Sequence, residues 1–256
     1  DALTTGTSNT TLGYSTLSAA TTSDFNIAIG TESLRNNILS NRNVAVGFQS
    51  LFHHNTTNAT DAYNTAVGFK AGTSVTTGTD NTIVGGLAGD ALTTGALNVA
   101  IGKAALSAED TGSANVAVGH AALMSQNYNG SAYNTAVGHN AGTAVTTGVQ
   151  NTLIGGLAGD ALTTGSNNIA IGVDALSAEI DGGRNVAIGK SALEDLNTDS
   201  NAYNVAIGHA AGASMTTGTL STIIGGLAGD ALTTGSKNVA LGHGTLSAET
   251  TTGRTV

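Results

Sequence analysis

The sequence predicts an all-β protein, a parallel β-solenoid built from coils of about 17 residues. Three observations lead there. A five-residue phrase, Asn-x-small-apolar-Gly, recurs along the whole chain, starting at Asn9, Asn26, Asn43, Asn64, Asn81, Asn98, Asn115, Asn134, Asn151, Asn168, Asn185, Asn204, Ser221 and Asn238. Successive starts are mostly 17 residues apart, with 21 after Asn43 and 19 after Asn115 and Asn185. A longer period lies over the first, because the phrase DALTTG opens at Asp90, Asp160 and Asp230, 70 residues apart, so four coils make a superrepeat. The composition agrees: with 36 Gly, no Trp and 4% aromatic residues, side chains able to fill a wide core are scarce. Self-similarity at a fixed period of this kind marks a stacked repeat. Residues 1–256 therefore read as one repeat domain, a segment of a longer fibre.

Counting the leading Asn as position 1, each column has a physical reason. Position 4 is a branched apolar residue in every coil, from Leu12 through Ile101 to Leu241, and position 2 is Val, Ile or Thr. β-Branched residues at alternate positions favour an extended strand. Position 5 is always Gly, which suggests a corner that needs positive φ or a close backbone approach. A helix is excluded, since each such Gly would cost about 1 kcal/mol relative to Ala. Position 9 is Leu in one coil type (Leu34, Leu51, Leu106) and Gly in the other (Gly72, Gly89, Gly142). The Gly type moves its large apolar residue to position 12, as in Val75, Leu92, Val145 and Met215. Thr-Thr-Gly before the next Asn reads as a turn, and the longer coils place their extra residues there, ending in Tyr63, Tyr133 or Tyr203.

Stacked in register at about 4.8 Å per layer, fourteen coils would form a rod roughly 65–70 Å long. The expected structural ladder is the Asn column: Asn26, Asn43, Asn64, Asn81, Asn98, Asn115, Asn134, Asn151, Asn168, Asn185, Asn204 and Asn238. Stacked amides of this kind stabilise layered strands. Strand alternation sends positions 2 and 4 to one face and position 3 to the other. With positions 2 and 4 inward, position 3 (Ala in most coils, but Ile83, Leu153 and Ile223) becomes a small apolar outer column, which another copy of the chain would cover.

Several functions are disfavoured. Eight Lys and Arg against 17 Asp and Glu give a net charge of −9, which repels nucleic acid. No apolar run approaches the roughly 20 residues of a membrane span, so no membrane insertion is expected in this segment. Without Cys there are no disulfides and no thiolate metal sites. Catalysis is not expected, because nearly every polar group recurs with the period whereas an active site breaks symmetry; no catalytic residue, cofactor or metal site is assigned. Asp90, Asp160 and Asp230 could each neighbour Glu109, Glu179 and Glu249, but these read as solvated turn carboxylates, since calcium needs further oxygen ligands at short spacing. His120, His139, His209 and His243 share position 6 and read as exposed corner residues. The irregular coil Asn43–Tyr63 is the place to look for specific binding, with His53 and His54 and the corners at Tyr63, Tyr133 and Tyr203 as candidate surface residues.

The phrases Asn-Ile-Ala-Ile-Gly at Asn26 and Asn-Val-Ala-Ile-Gly at Asn98 and Asn185 resemble the head repeats of trimeric autotransporter adhesins of the YadA-like type. They also resemble the Asn-Thr-Ala-Val-Gly repeats of phage tail-fibre proteins. The resemblance implies a left-handed parallel β-roll, a side-by-side homotrimer or other homo-oligomer, and a structural or adhesive fibre outside the cell, on a bacterial surface or a virion. Its partner would be a host-surface glycan or protein receptor. The coil is longer than the adhesin coil and carries two subtypes. Alternatives are a purely mechanical filament or spacer, with binding elsewhere in the parent, and, more remotely, an ice-binding solenoid.

Overall fold

The structure is a computed structural model that describes residues 5–251 and residue 253. Among these, all regular structure is β, and each strand is three residues long. The chain forms two compact units, one up to Ala132 and one from Tyr133 onwards.

The first unit contains β1 (Thr10–Leu12), β2 (Ile27–Ile29), β3 (Val44–Val46), β4 (Thr65–Val67), β5 (Thr82–Val84), β6 (Val99–Ile101) and β7 (Val116–Val118). Each strand pairs in parallel with the next, in chain order and with like positions opposite; Thr65, Ala66 and Val67 face Thr82, Ile83 and Val84. The second unit contains β8 (Thr135–Val137), β9 (Thr152–Ile154), β10 (Ile169–Ile171), β11 (Val186–Ile188), β12 (Val205–Ile207), β13 (Thr222–Ile224) and β14 (Val239–Leu241), paired by the same rule. Each unit is thus a parallel β-solenoid of coils of about 17 residues. The four-residue insertion after Asn43 leaves register intact, since Val44 pairs with Thr65 across it.

The faces are the reverse of the sequence expectation. Position 3 points inward: Ala28, Ala66, Ile83, Leu153, Ala206 and Ile223 are fully buried. Positions 2 and 4 form the outer surface, with Ile27, Ile154 and Ile169 each over a third exposed. Packing explains why position 3 enlarges where it does. A Cβ at Gly72 would lie 2.9 Å from Ile83 Cδ1, and one at Gly89 would lie 3.5 Å from the same atom. Ile83 therefore fills the space left by two glycines at position 9. The interior is thin, lined mostly by small residues at positions 3 and 8 and by one or two larger side chains per coil, such as Val75 alone or Leu193 with Leu196.

The position-5 glycines form one of the closest contacts between layers, matched by the turn glycines, since a Cβ at Gly95 would strike the carbonyl of Gly112. Gly68 has φ +141°, and a Cβ there would fall 2.6 Å from the carbonyl oxygen of Gly85 in the next coil. No other residue meets both conditions. Position 9 is left-handed in both coil types, at φ 48° for Leu51 and 58° for Gly72. The residue before each Asn is left-handed as well, from Phe25 to Lys237. A left-handed Leu costs roughly 1–2 kcal/mol. Cross-layer backbone bonds hold it there, as Leu51 N–H donates to Ala71 C=O at 3.1 Å.

Candidate functional site

The strand phrase begins with a side chain that bonds in two directions. The Oδ1 of Asn151 accepts the backbone N–H of Asn168 at 2.9 Å, and Asn168 Oδ1 accepts that of Asn185 at 3.0 Å. The Nδ2 donates within the coil to the glycine carbonyl that closes the turn: Asn81 to Gly95 and Asn168 to Gly182, at 2.9 and 3.0 Å. Direct amide-to-amide bonds also occur, at 3.1 Å from Asn81 Nδ2 to Asn64 Oδ1. Ser221 keeps the acceptor role, its hydroxyl receiving Asn238 N–H at 3.2 Å. These side chains are buried, so each rung removes a backbone donor and a backbone acceptor that would otherwise stand unpaired. The coil from Asn43 has no turn glycine, and Asn43 Nδ2 turns to Asn41 C=O instead, at 3.1 Å. Asn185 Nδ2, in another lengthened coil, meets no acceptor among the described residues.

Position 12 is a second interior column. It holds the apolar residues Val75, Leu92, Val145, Leu162, Met215 and Leu232 where position 9 is Gly. Where position 9 is Leu it holds Asn37, His54, Glu109, Gln126, Glu179 or Leu196, all fully buried. His54 is therefore not a surface residue: it lies inside the coil, where neither ring nitrogen makes a well-formed hydrogen bond among the described residues and the Thr76 backbone is a weak polar contact. Burial lowers its pKa from 6.5 to about 4, so it is neutral at pH 7.

Glu109 and Glu179 also differ from the expected solvated turn carboxylates. Glu179 accepts N–H bonds from Ile180, Gly182 and Thr198 at 3.1, 2.8 and 3.0 Å, and the Thr198 hydroxyl at 3.0 Å. Glu109 accepts from Gly112 and Tyr128 at 2.8 and 3.3 Å. Tyr128 and Thr198 belong to the lengthened coils that follow, so each glutamate anchors the start of an insertion. Burial pushes both carboxyls above the usual range, and the donors pull them part of the way back. The charge acting on Glu109 is that of Asp110, not Asp90. Asp90 and Asp160 stay half-buried, and their carboxyls too are raised by desolvation. Glu249 is partly exposed. Among the described residues no three or more His, Asp or Glu side chains gather as metal ligands would.

The remaining candidates are exposed. Tyr63, Tyr133 and Tyr203 are 54, 62 and 48% exposed, each left-handed and directly before an Asn of the ladder. The Arg42 guanidinium sits 4.9 Å from the Phe25 ring centroid and 5.9 Å from that of Tyr63, and pairs with Asp61 at 2.9 Å. Arg184 stacks 5.5 Å from Tyr203. One Tyr in each unit is thus a packed layer of a corner. His53 is exposed, edge-on to Phe52 with centroids 4.6 Å apart and 3.4 Å from Asn36 Nδ2. His120, His139, His209 and His243 are exposed. The aromatic residues of position 6 were not singled out in the sequence: Phe48 and Phe69 are stacked at 5.5 Å and 13°, both exposed. Aligning the coils shows Tyr14, Phe48 and Phe69 in one column with those histidines, which is the signal that finds them.

Comparisons with protein-family models, with curated proteins and with solved structures find no match to this chain. No helix among the described residues is long and apolar enough to cross a membrane.

Asn168→Ala removes an acceptor and a donor from buried backbone groups, so a loss of about 2–5 kcal/mol is expected in urea unfolding. The buried histidine sets a pH response. Its unfolded form takes up a proton first, so stability should fall as pH drops from 6.5 through about 4. The loss is at most about 3 kcal/mol. His54→Leu recreates the Leu193–Leu196 pairing of another coil and is expected to remove that loss in unfolding titrations from pH 7 to 4.

Proposed function

We propose that this chain is a structural and adhesive fibre segment, a homo-oligomer that serves attachment at a bacterial or virion surface. The observation that carries the reading is the outer β face. Positions 2 and 4 are aliphatic or Thr in every coil, and Ile27, Ile154, Ile169 and Val239 stand 37–42% exposed. A face meant for water would alternate with polar residues, whereas one meant to pack along a neighbouring copy would not. That face takes over the part the sequence had given to position 3. A catalytic role lacks support, because the recurring polar groups serve the stack: Asn and Glu bind backbone, and the turn threonines bind the layer above, as Thr76 Oγ1 does with Thr93 C=O at 3.2 Å. An extracellular setting accords with a chain whose layers need no cysteine.

A mechanical spacer is the second reading, favoured by the sameness of ladder and glycine corner from coil to coil. The ice-binding alternative gains from the outward position-2 threonines, which meet as Thr65 with Thr82 and Thr135 with Thr152. Each pair is followed in the stack by Val99 or Ile169, so the file is broken.

Sedimentation equilibrium and a whole-cell adhesion assay test the proposal together. A stable oligomer that dissociates on Val67→Asp and Ile188→Asp, and adheres to host cells or receptor-coated surfaces, is expected. A monomer at high micromolar concentration would contradict the oligomer. An oligomer without adhesion would leave the spacer.

A further inference from the structure

The position-6 column of the first unit runs along one side of the outer β face, and its residues change from layer to layer. In consecutive layers it carries Phe48, Phe69, Gly86 and Lys103. Backbone bonds fix this order: Lys70 N–H donates to Phe48 C=O, Leu87 N–H to Phe69 C=O and Ala104 N–H to Gly86 C=O, at 2.9, 2.9 and 3.0 Å. Phe48 covers one face of the Phe69 ring, in a stack of 5.5 Å and 13°. The opposite face looks toward the layer of Gly86, which has no side chain, and a Cβ built there meets nothing within 4 Å. Phe69 is accordingly 53% exposed.

We infer that this gap is a binding slot for a sugar ring bearing a carboxylate, such as a uronic acid. Phe69 and Lys103 stand two layers apart, about 9.6 Å. Ring contacts of about 3.5–4 Å on each side leave room there for one ring between them. The aromatic face supplies the apolar platform that the C–H face of a pyranose needs. Charge selects the acid: the ammonium of Lys70 hangs 5.6 Å from the Phe69 centroid, and exposed Lys103 stands in the layer beyond Gly86, in a chain with only eight Lys and Arg. Asp90, on which Lys70 also acts, is half-buried. A neutral ring would gain the stacking alone.

The inference rests on the adhesive reading for its biological setting, but the slot can be tested separately. The probe is an oligogalacturonate, compared with its methyl ester, titrated into the full chain by calorimetry at low and high salt. Binding of the acid that weakens with salt, and binding of the ester at least about tenfold weaker, are expected. Phe69→Ala should weaken binding about tenfold or more, the size of one good ring contact. Gly86→Phe is the decisive variant, because its ring continues the Phe48–Phe69 stack and fills the slot. It should raise the melting temperature while abolishing binding, so that lost binding is not lost folding. Undiminished binding by Gly86→Phe, equal binding of acid and ester, or no binding by the native chain would each overturn the slot. A chain that adheres to cells yet ignores the acid sugar would overturn it while leaving the adhesive reading in place.

Discussion

Every layer of this protein must close its circuit and hand the next layer an identical set of backbone donors and acceptors, and the glycines at position 5 and in the closing turn are where that requirement is tightest. The backbones of Gly68 and Gly85 approach so closely that a single methyl group would strike the neighbouring carbonyl. This contact fixes the spacing at one corner, and the other columns adjust to it. Asn ties the start of each strand to the layer before it, while its amide closes the turn that ends the same coil. The bond from Oδ1 to the next layer forms only when the layers are in register, so the polar ladder and the glycine corner select the same arrangement.

Strain is spread along the stack in an ordered way. Left-handed residues recur at three positions of the coil, for example Arg42, Gln49 and Leu51, and only some of them are glycine. In isolation such a backbone would be unfavourable. Here each is held by cross-layer bonds, as Arg42 N–H to Asp24 C=O at 3.1 Å, so the conformation is over-determined by its neighbours. Tolerance of Leu or Gly at position 9 follows: both adopt the same backbone, and the volume lost with Gly72 is restored by Ile83 and Val75. Buried Glu179 performs the matching task for a lengthened coil, giving its carboxylate to backbone donors of both layers.

The period, the parallel stacking, the strand position and the glycine corner were legible in the sequence, because each is a column property that survives without knowledge of the interior. The direction of the strand faces was not. Positions 2, 3 and 4 are all apolar in many coils, as in Val99, Ala100 and Ile101, and Thr at position 2 elsewhere is tolerated on either face, so alternation carried little polarity signal; volume distinguishes the columns better, and a narrow interior takes the small residue. His54 was misplaced for a related reason. It follows exposed His53 in an irregular coil, but it occupies position 12, and comparison with Val75 and Leu92 in that column assigns it to the interior. Tyr63 and Tyr203 were correctly read as corner residues, while the arginine stacked on each depends on a neighbouring layer.

Vertical register can be read directly, since the chain has no cysteine and accepts paired labels cleanly. Spin labels on cysteines replacing Thr65 and Thr82, which lie opposite each other in adjacent layers, should give a spectrum strongly broadened by coupling at about 5 Å. A pair at Thr65 and Val99, two layers apart, should be broadened much less. Sharp, uncoupled spectra from the adjacent pair would contradict the stacked arrangement described above.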